Sequence, residues 1–207
     1  MKSVQEIVND LKSSPHLKLV VNQLEHAMAE EQKNRQDYYA LVHEDVKAEF
    51  INGEIIYQSP VRKKHWYISS ELSSRLIQHV REHHLGLVAV EKAMVSLSRN
   101  DYEPDICFFR KEIADQFSDE QLHFPAPDFV VEITSASTVK VDRNDKFTDY
   151  AAHGVTEYWI IDTHEDSVEK YINQEGKFVL LEKIKHGSLT SETVTGFTFD
   201  FSSLFGK

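Results

Sequence analysis

Apolar residues recur at helical spacing from the start of the chain: Val4, Ile7, Val8 and Leu11, then Leu17, Val20, Val21, Leu24 and Met28. The pattern predicts helix from residue 3 to about 34, interrupted at Ser13-Ser14-Pro15. The polar run Glu30-Glu31-Gln32-Lys33-Asn34-Arg35-Gln36 reads as a solvated helix end or connector. The pattern then changes. Ala48-Glu49-Phe50-Ile51 and Glu54-Ile55-Ile56-Tyr57-Gln58 flank Asn52-Gly53, a pair suited to the two positive-φ positions of a tight antiparallel hairpin. A basic cluster, Arg62-Lys63-Lys64-His65, leads into a helix whose Ile68, Leu72, Leu76 and Val80 form one stripe, with Gly86 placed to end it.

Leu87 to Leu97 reads as a strand, and Arg99-Asn100-Asp101 turns the chain into a second one, Glu103 to Phe109. A short helix over Lys111–Phe117 follows, and Phe124-Pro125-Ala126-Pro127 forces an extended entry into the strand Pro127–Thr134. The loop Ser135-Ala136-Ser137-Thr138 carries N-cap chemistry, Asp142 to Ala152 reads as helix, and Glu157 to Asp162 is a buried strand. Strand, helix and strand at this spacing make a βαβ crossover with its strands parallel. A hairpin, Ser167–Ile172 with Lys177–Ile184, precedes the apolar residues Thr198–Phe201 and Leu204-Phe205.

The fold class expected is therefore mixed α/β: a mixed sheet flanked by helices. Residues 1–36 form an N-terminal helical extension and residues 37–207 a single domain. At 207 residues, 41% hydrophobic and 28% charged, the chain suits one well-buried domain. Its apolar runs are too short to span a membrane, and one cysteine, Cys107, with no secretory pattern points to the cytoplasm. A net charge of −11 excludes a broadly basic nucleic-acid coat but leaves room for a local basic patch or a bound cation.

Two of the apolar strands each carry an awkward acid: Asp105 in Glu103–Phe109, and Glu132 in Pro127–Thr134. Burying a carboxylate among Ile, Phe and Val is costly unless a cation compensates it. Alternation puts Asp105 on the face of Cys107 and Phe109, and Glu132 on that of Asp128, Val130 and Thr134. On neighbouring strands, roughly 4.8 Å apart, both acids can reach one hard cation at the roughly 2.1 Å that Mg²⁺ requires, with Mn²⁺ as a substitute. Such an ion activates water for attack on phosphorus. Lys146 is the candidate to orient that water, because Asp142, Lys146 and Tyr150 line one helix face at i, i+4 and i+8. Lys140, Arg143, Lys63 and Lys64 are candidates for contacting a phosphate backbone. The His79/His83 pair lacks a third ligand, and Glu54 and Glu71 are left outside the site.

Over about residues 40 to 185 the chain resembles the Uma-two family of restriction endonucleases, within the PD-(D/E)XK nuclease superfamily. The resemblance rests on an ordered set of residues: Asn52-Gly53-Glu54, Pro104-Asp105, Val130-Val131-Glu132-Ile133, Ser135 and Ser137, Asp142 with Lys146 and Tyr150, and Glu157-Tyr158-Trp159. It implies a restriction-endonuclease-like core with Asp105, Glu132 and Lys146 as the catalytic set, acting as a Mg²⁺-dependent endonuclease on DNA, with RNA as a further possible substrate. The superfamily's usual lysine two residues after the acid is here Thr134, so the resemblance implies a lysine moved onto the following helix. A homodimer would suit double-strand cleavage. The alternative is a nuclease-fold binding or assembly module without turnover.

Overall fold

The structure, a computed structural model, describes residues 4–42, 47–135 and 138–205, so Ser137 lies outside the described residues. The N-terminal helices are α1 (Val4–Ser13) and α2 (Leu17–Leu41), with the break at the predicted Ser-Ser-Pro. Helix α2 runs past the polar connector to Leu41, and its last turns are tied to the rest of the chain. Arg35 donates to both oxygens of Asp101 at 2.7 and 2.9 Å, Tyr38 donates to the Ala48 carbonyl at 2.7 Å, and Glu31 accepts from Arg99 at 2.7 Å. These long-range contacts, absent from any local pattern, keep the polar segment helical.

Two sheets follow. The first has the order β2-β1-β5-β4-β7, built from β1 (Ala48–Ile51), β2 (Glu54–Tyr57), β4 (Met94–Ser96), β5 (Asp101–Tyr102) and β7 (His123–Phe124). The predicted hairpin is β1–β2, with Asn52 and Gly53 at φ of 52° and 89°. The second sheet has the order β11-β10-β9-β8-β6-β3. Its strands are β3 (Gly86–Val90), β6 (Ile106–Arg110), β8 (Phe129–Thr134), β9 (Glu157–Asp162), β10 (Ser167–Gln174) and β11 (Lys177–Ile184). Among the described residues a further pair, β12 (Ser188–Thr190) and β13 (Thr198–Asp200), closes the chain. Strands β8 and β9 are parallel, as the βαβ spacing requires.

Helix α3 (Lys63–Glu82) buries Ile68, Leu72, Leu76 and Val80, the predicted stripe, against Ile106, Phe108, Phe129, Val131 and Ile133. The opposite face of the same strands, with Cys107, Phe109 and Val130, packs on Tyr150, Ala151 and Tyr158. Helix α4 (Lys111–Ala114) is a single turn between β6 and β7.

Three details depart from the sequence pattern. The stretch Leu87–Leu97 is two strands, because Glu91 and Lys92 both take left-handed φ values of 50° and 47° and swing the chain from one sheet to the other. The helix after β8 is two pieces, α5 (Val139–Arg143) and α6 (Asp145–Ala152), separated at Asn144, whose ψ of −71° accompanies a non-helical φ of −125°. Helix α3 stops before Gly86. His84 supplies the left-handed residue at φ 52°, and Gly86 instead begins β3, where a Cβ would lie 2.1 Å from the Phe109 carbonyl oxygen. Gly86→Ala is therefore expected to cost at least about 2 kcal/mol, measured by denaturant unfolding, because backbone rather than a flexible side chain blocks the space.

Candidate active site

The register between β6 and β8 pairs Ile106 with Val131 and Cys107 with Val130. Carried one residue further, it sets Asp105 across from Glu132, both on the Cys107/Val130 face, as alternation predicts. The parallel crossover then returns α5 and α6 over that face. It delivers Asp142, Lys146 and Tyr150 to the same point despite the break at Asn144.

The result is a buried cluster. Lys146 Nζ lies 2.8 Å from Glu49 Oε1, 3.0 Å from Glu132 Oε1 and 3.7 Å from Asp142 Oδ1. The Tyr150 hydroxyl also donates to Glu132 Oε1, at 3.2 Å. Asp105 Oδ2 accepts the Ile133 N–H at 2.7 Å and lies 3.2 Å from His65 Nε2. Glu49, which comes from β1, is held by the Gln58 amide at 2.9 Å and the Glu103 N–H at 2.8 Å.

Two of these residues escape the sequence reading. Glu49 sits in a short hairpin strand where alternation suggests one solvated face, yet all four residues of β1 are buried. His65 reads as part of a basic run, although it is the one member of that run that is buried, in the first turn of α3.

Four carboxylates, Glu49, Asp105, Glu132 and Asp142, thus surround one lysine and one histidine, all of them buried. The imbalance separates the carboxylates. Burial drives Glu132 well above the usual carboxylate range, against the pull of Lys146, and drives Asp142 up to about 6. Burial would also raise Asp105, but the His65 ring and the Ile133 N–H outweigh it and hold Asp105 below its ordinary value. Burial acts to discharge Lys146, and the surrounding acids overcome it, so the ammonium stays charged far into the alkaline range.

Among the described residues, Asp105 Oδ1 and Glu132 Oε2 take no hydrogen bond. No group of three or more His, Cys, Asp or Glu residues arranged to hold a metal occurs among them either. Asp105 Oδ1 and Glu132 Oε2 are the two carboxylate oxygens that would meet a hard cation which keeps most of its waters, the habit of Mg²⁺. An excess of buried negative charge is the other feature such an ion would relieve.

Residues 35–202 match the profile of the Uma2 family, described as "Putative restriction endonuclease". The chain belongs to the Uma2 family. A crystal structure of a "putative nuclease belonging to DUF820" from Anabaena variabilis is similar with a TM-score of 0.69 at 20% identity. The match covers 82% of this chain and 96% of that one. That likeness establishes the shared fold. No curated protein matches the chain.

In this Uma2 chain the four cations considered for phosphate contact divide evenly. Lys63 and Lys140 are exposed. Lys64 is paired with Asp166 and donates to the Thr163 carbonyl at 2.6 Å, and Arg143 is held by Glu169 and lies 3.5 Å from Asp162. Two further buried acids, Asp128 and Glu157, stand apart from the cluster. Asp128 is paired with Arg110, and Glu157 accepts from the Ser191 hydroxyl at 2.7 Å and from the Thr193 N–H at 2.7 Å, pinning the 191–194 turn. His79 and His83 stack on each other, with His79 Nε2 2.9 Å from the Thr195 carbonyl oxygen. No helix among the described residues is long and apolar enough to cross a membrane.

Glu103 borders the cluster with its Oε2 buried and without a hydrogen-bond partner among the described residues, and burial pushes it up to about 7. With folded values of about 7 for Glu103 and about 6 for Asp142, the native state holds protons that the unfolded chain releases near 4 to 4.5. Stability is then greatest below the unfolded values and declines as pH rises through about 6 to 7. In metal-free buffer the melting temperature is expected to fall between pH 5.5 and pH 8, and Glu103→Gln to flatten part of that slope. A melting temperature rising across the same interval would contradict this assignment.

Proposed function

We propose that this chain is a Mg²⁺-dependent endonuclease that hydrolyses phosphodiester bonds of DNA, with Asp105 and Glu132 holding the cation and Lys146 completing the catalytic set. The observation that carries the reading is the convergence of these three residues, from the turn before β6, from β8 and from α6, in a buried cluster whose acids outnumber its cations. Membership of a family described as "Putative restriction endonuclease" supports the same class of reaction.

The residues divide the work by their electrostatics. Asp105, kept ionised by His65 and the Ile133 N–H, presents one uncommitted oxygen. Glu132 is held through Oε1 by Lys146 and Tyr150, which leaves Oε2 without a hydrogen bond among the described residues. Asp105 and Glu132 would hold a divalent cation, which would supply Lewis acidity to a phosphoryl oxygen and lower the pKa of a water. Lys146 remains protonated and therefore serves as a fixed positive charge and water-orienting donor rather than as a base. Glu49 steadies the Lys146 ammonium from the other side.

The test is incubation of the purified chain with labelled DNA and RNA in Mg²⁺, in Mn²⁺ and in chelator. Cleavage of DNA that requires the ion is the expected result. Absence of cleavage under every condition would contradict the proposal and favour a nuclease-fold binding module.

A further inference from the structure

The first turn of α3 carries two large aromatic side chains on its outer side. Trp66 is 47% exposed and Tyr67 is 42% exposed, with ring centroids 6.5 Å apart in an edge-on arrangement. Rings of this size are ordinarily buried, and the chain's other tryptophan, Trp159, is 0% exposed. They directly follow His65, the residue that contacts Asp105, so their backbone lies within about one helical turn, roughly 5 Å, of the site's own helix position.

The same turn contains Arg62 and Lys63, both exposed and without a carboxylate partner among the described residues. Most of the chain's other cations near the sheets are already paired: Lys64 with Asp166, Arg99 with Glu31, Arg143 with Glu169 and Lys183 with Glu169. In a chain of net charge −11, the N-terminal turn of α3, which also holds His65, thus offers two uncommitted cations beside two half-exposed aromatic rings. Cations that follow a phosphate backbone beside aromatic rings that take bases are the recurring means of holding an unpaired strand. A stacked duplex turns its bases inward and leaves such rings little to stack on.

We infer that Trp66 and Tyr67 form a stacking platform for unstacked nucleobases, with Arg62 and Lys63 on the adjoining phosphates, so that the substrate class at this site is a single-stranded or locally opened nucleic acid. The inference rests on the nuclease reading for its ligand class and extends it to the state of the strand.

The experiment is a fluorescence titration of the full chain with a mixed-sequence single-stranded DNA oligonucleotide and with the same sequence as a duplex, in chelator so that no cleavage intervenes. Trp159 is shielded, so a change in emission reports Trp66. The single strand is expected to quench Trp66 and to bind about tenfold or more tightly than the duplex. Trp66→Ala and Tyr67→Ala, followed by anisotropy of a labelled strand, are expected each to weaken single-strand binding by about tenfold. Both positions are exposed, and an unchanged melting temperature checks that the fold persists. Equal binding of both forms with unchanged Trp66 emission overturns the inference. So does duplex cleavage that is undiminished in the Trp66→Ala/Tyr67→Ala double variant, which leaves the nuclease reading intact. Single-strand binding and quenching without cleavage under any ion would overturn the nuclease reading and sustain the platform.

Discussion

Glu132→Gln is expected to lose ion-dependent cleavage by at least about 10²–10³-fold while the protein keeps its fold. The amide preserves the shape of the side chain and an acceptor for Lys146 and Tyr150, which lie 3.0 and 3.2 Å from Oε1, and removes only the charge. Stability should move in the opposite direction to activity. Burial raises the Glu132 carboxyl well above its ordinary range, so its ionised form is a cost to the folded state, and the Gln variant should unfold no more easily than the wild type at pH 8. Asp105→Asn should lose cleavage to a similar degree with a different stability signature. Its carboxyl is held below the ordinary value, so its charge stabilises the fold at neutral pH, and that contribution fades only as pH falls through the folded value. Cleavage rates and melting curves of the two variants, read together, separate a catalytic acid from a structural one. Full activity in Glu132→Gln would remove the residue from the mechanism.

Lys146→Met carries the largest expected stability cost. Its ammonium is shared by Glu49, Glu132 and Asp142, all buried, and removing it leaves three acids without their cation. Removal of one partner from a buried ionic cluster typically costs about 3–5 kcal/mol. The deficit has a definite pH dependence. Without Lys146 the folded values of the Glu132 and Asp142 carboxyls rise further above their unfolded ones, so the native state takes up protons, and the variant regains stability as pH is lowered from 8 toward 5. Denaturant unfolding at both pH values measures this. A deficit independent of pH would mean that the lysine acts through packing alone.

The strands carrying Asp105 and Glu132, their shared face and the parallel return to β9 were all legible, because each is a local alternation or a short spacing. Lys146 was legible for a related reason. The i, i+4, i+8 series with Asp142 and Tyr150 survives even though Asn144 divides the helix, since both pieces pack on the same strands. Glu49 was not legible. Its burial comes from α6 and from the turn before Asp105, both far along the chain, and a four-residue strand carries too little pattern to reveal a second covered face. The split of Leu87–Leu97 was hidden likewise, because Glu91 and Lys92 adopt left-handed backbone without the Gly or Asn that announces it. Tertiary contacts from Asp101 and Ala48 extend α2 across a run whose composition alone reads as a connector.

The central claim, that Asp105 and Glu132 share one divalent cation, is tested most directly by calorimetric titration of the wild type and of Asp105→Asn with Mg²⁺ and Mn²⁺. The account predicts one ion per chain bound by the wild type at roughly millimolar or tighter affinity, and loss of that binding in Asp105→Asn. No binding by the wild type at millimolar concentration, or binding unchanged by the substitution, would contradict it.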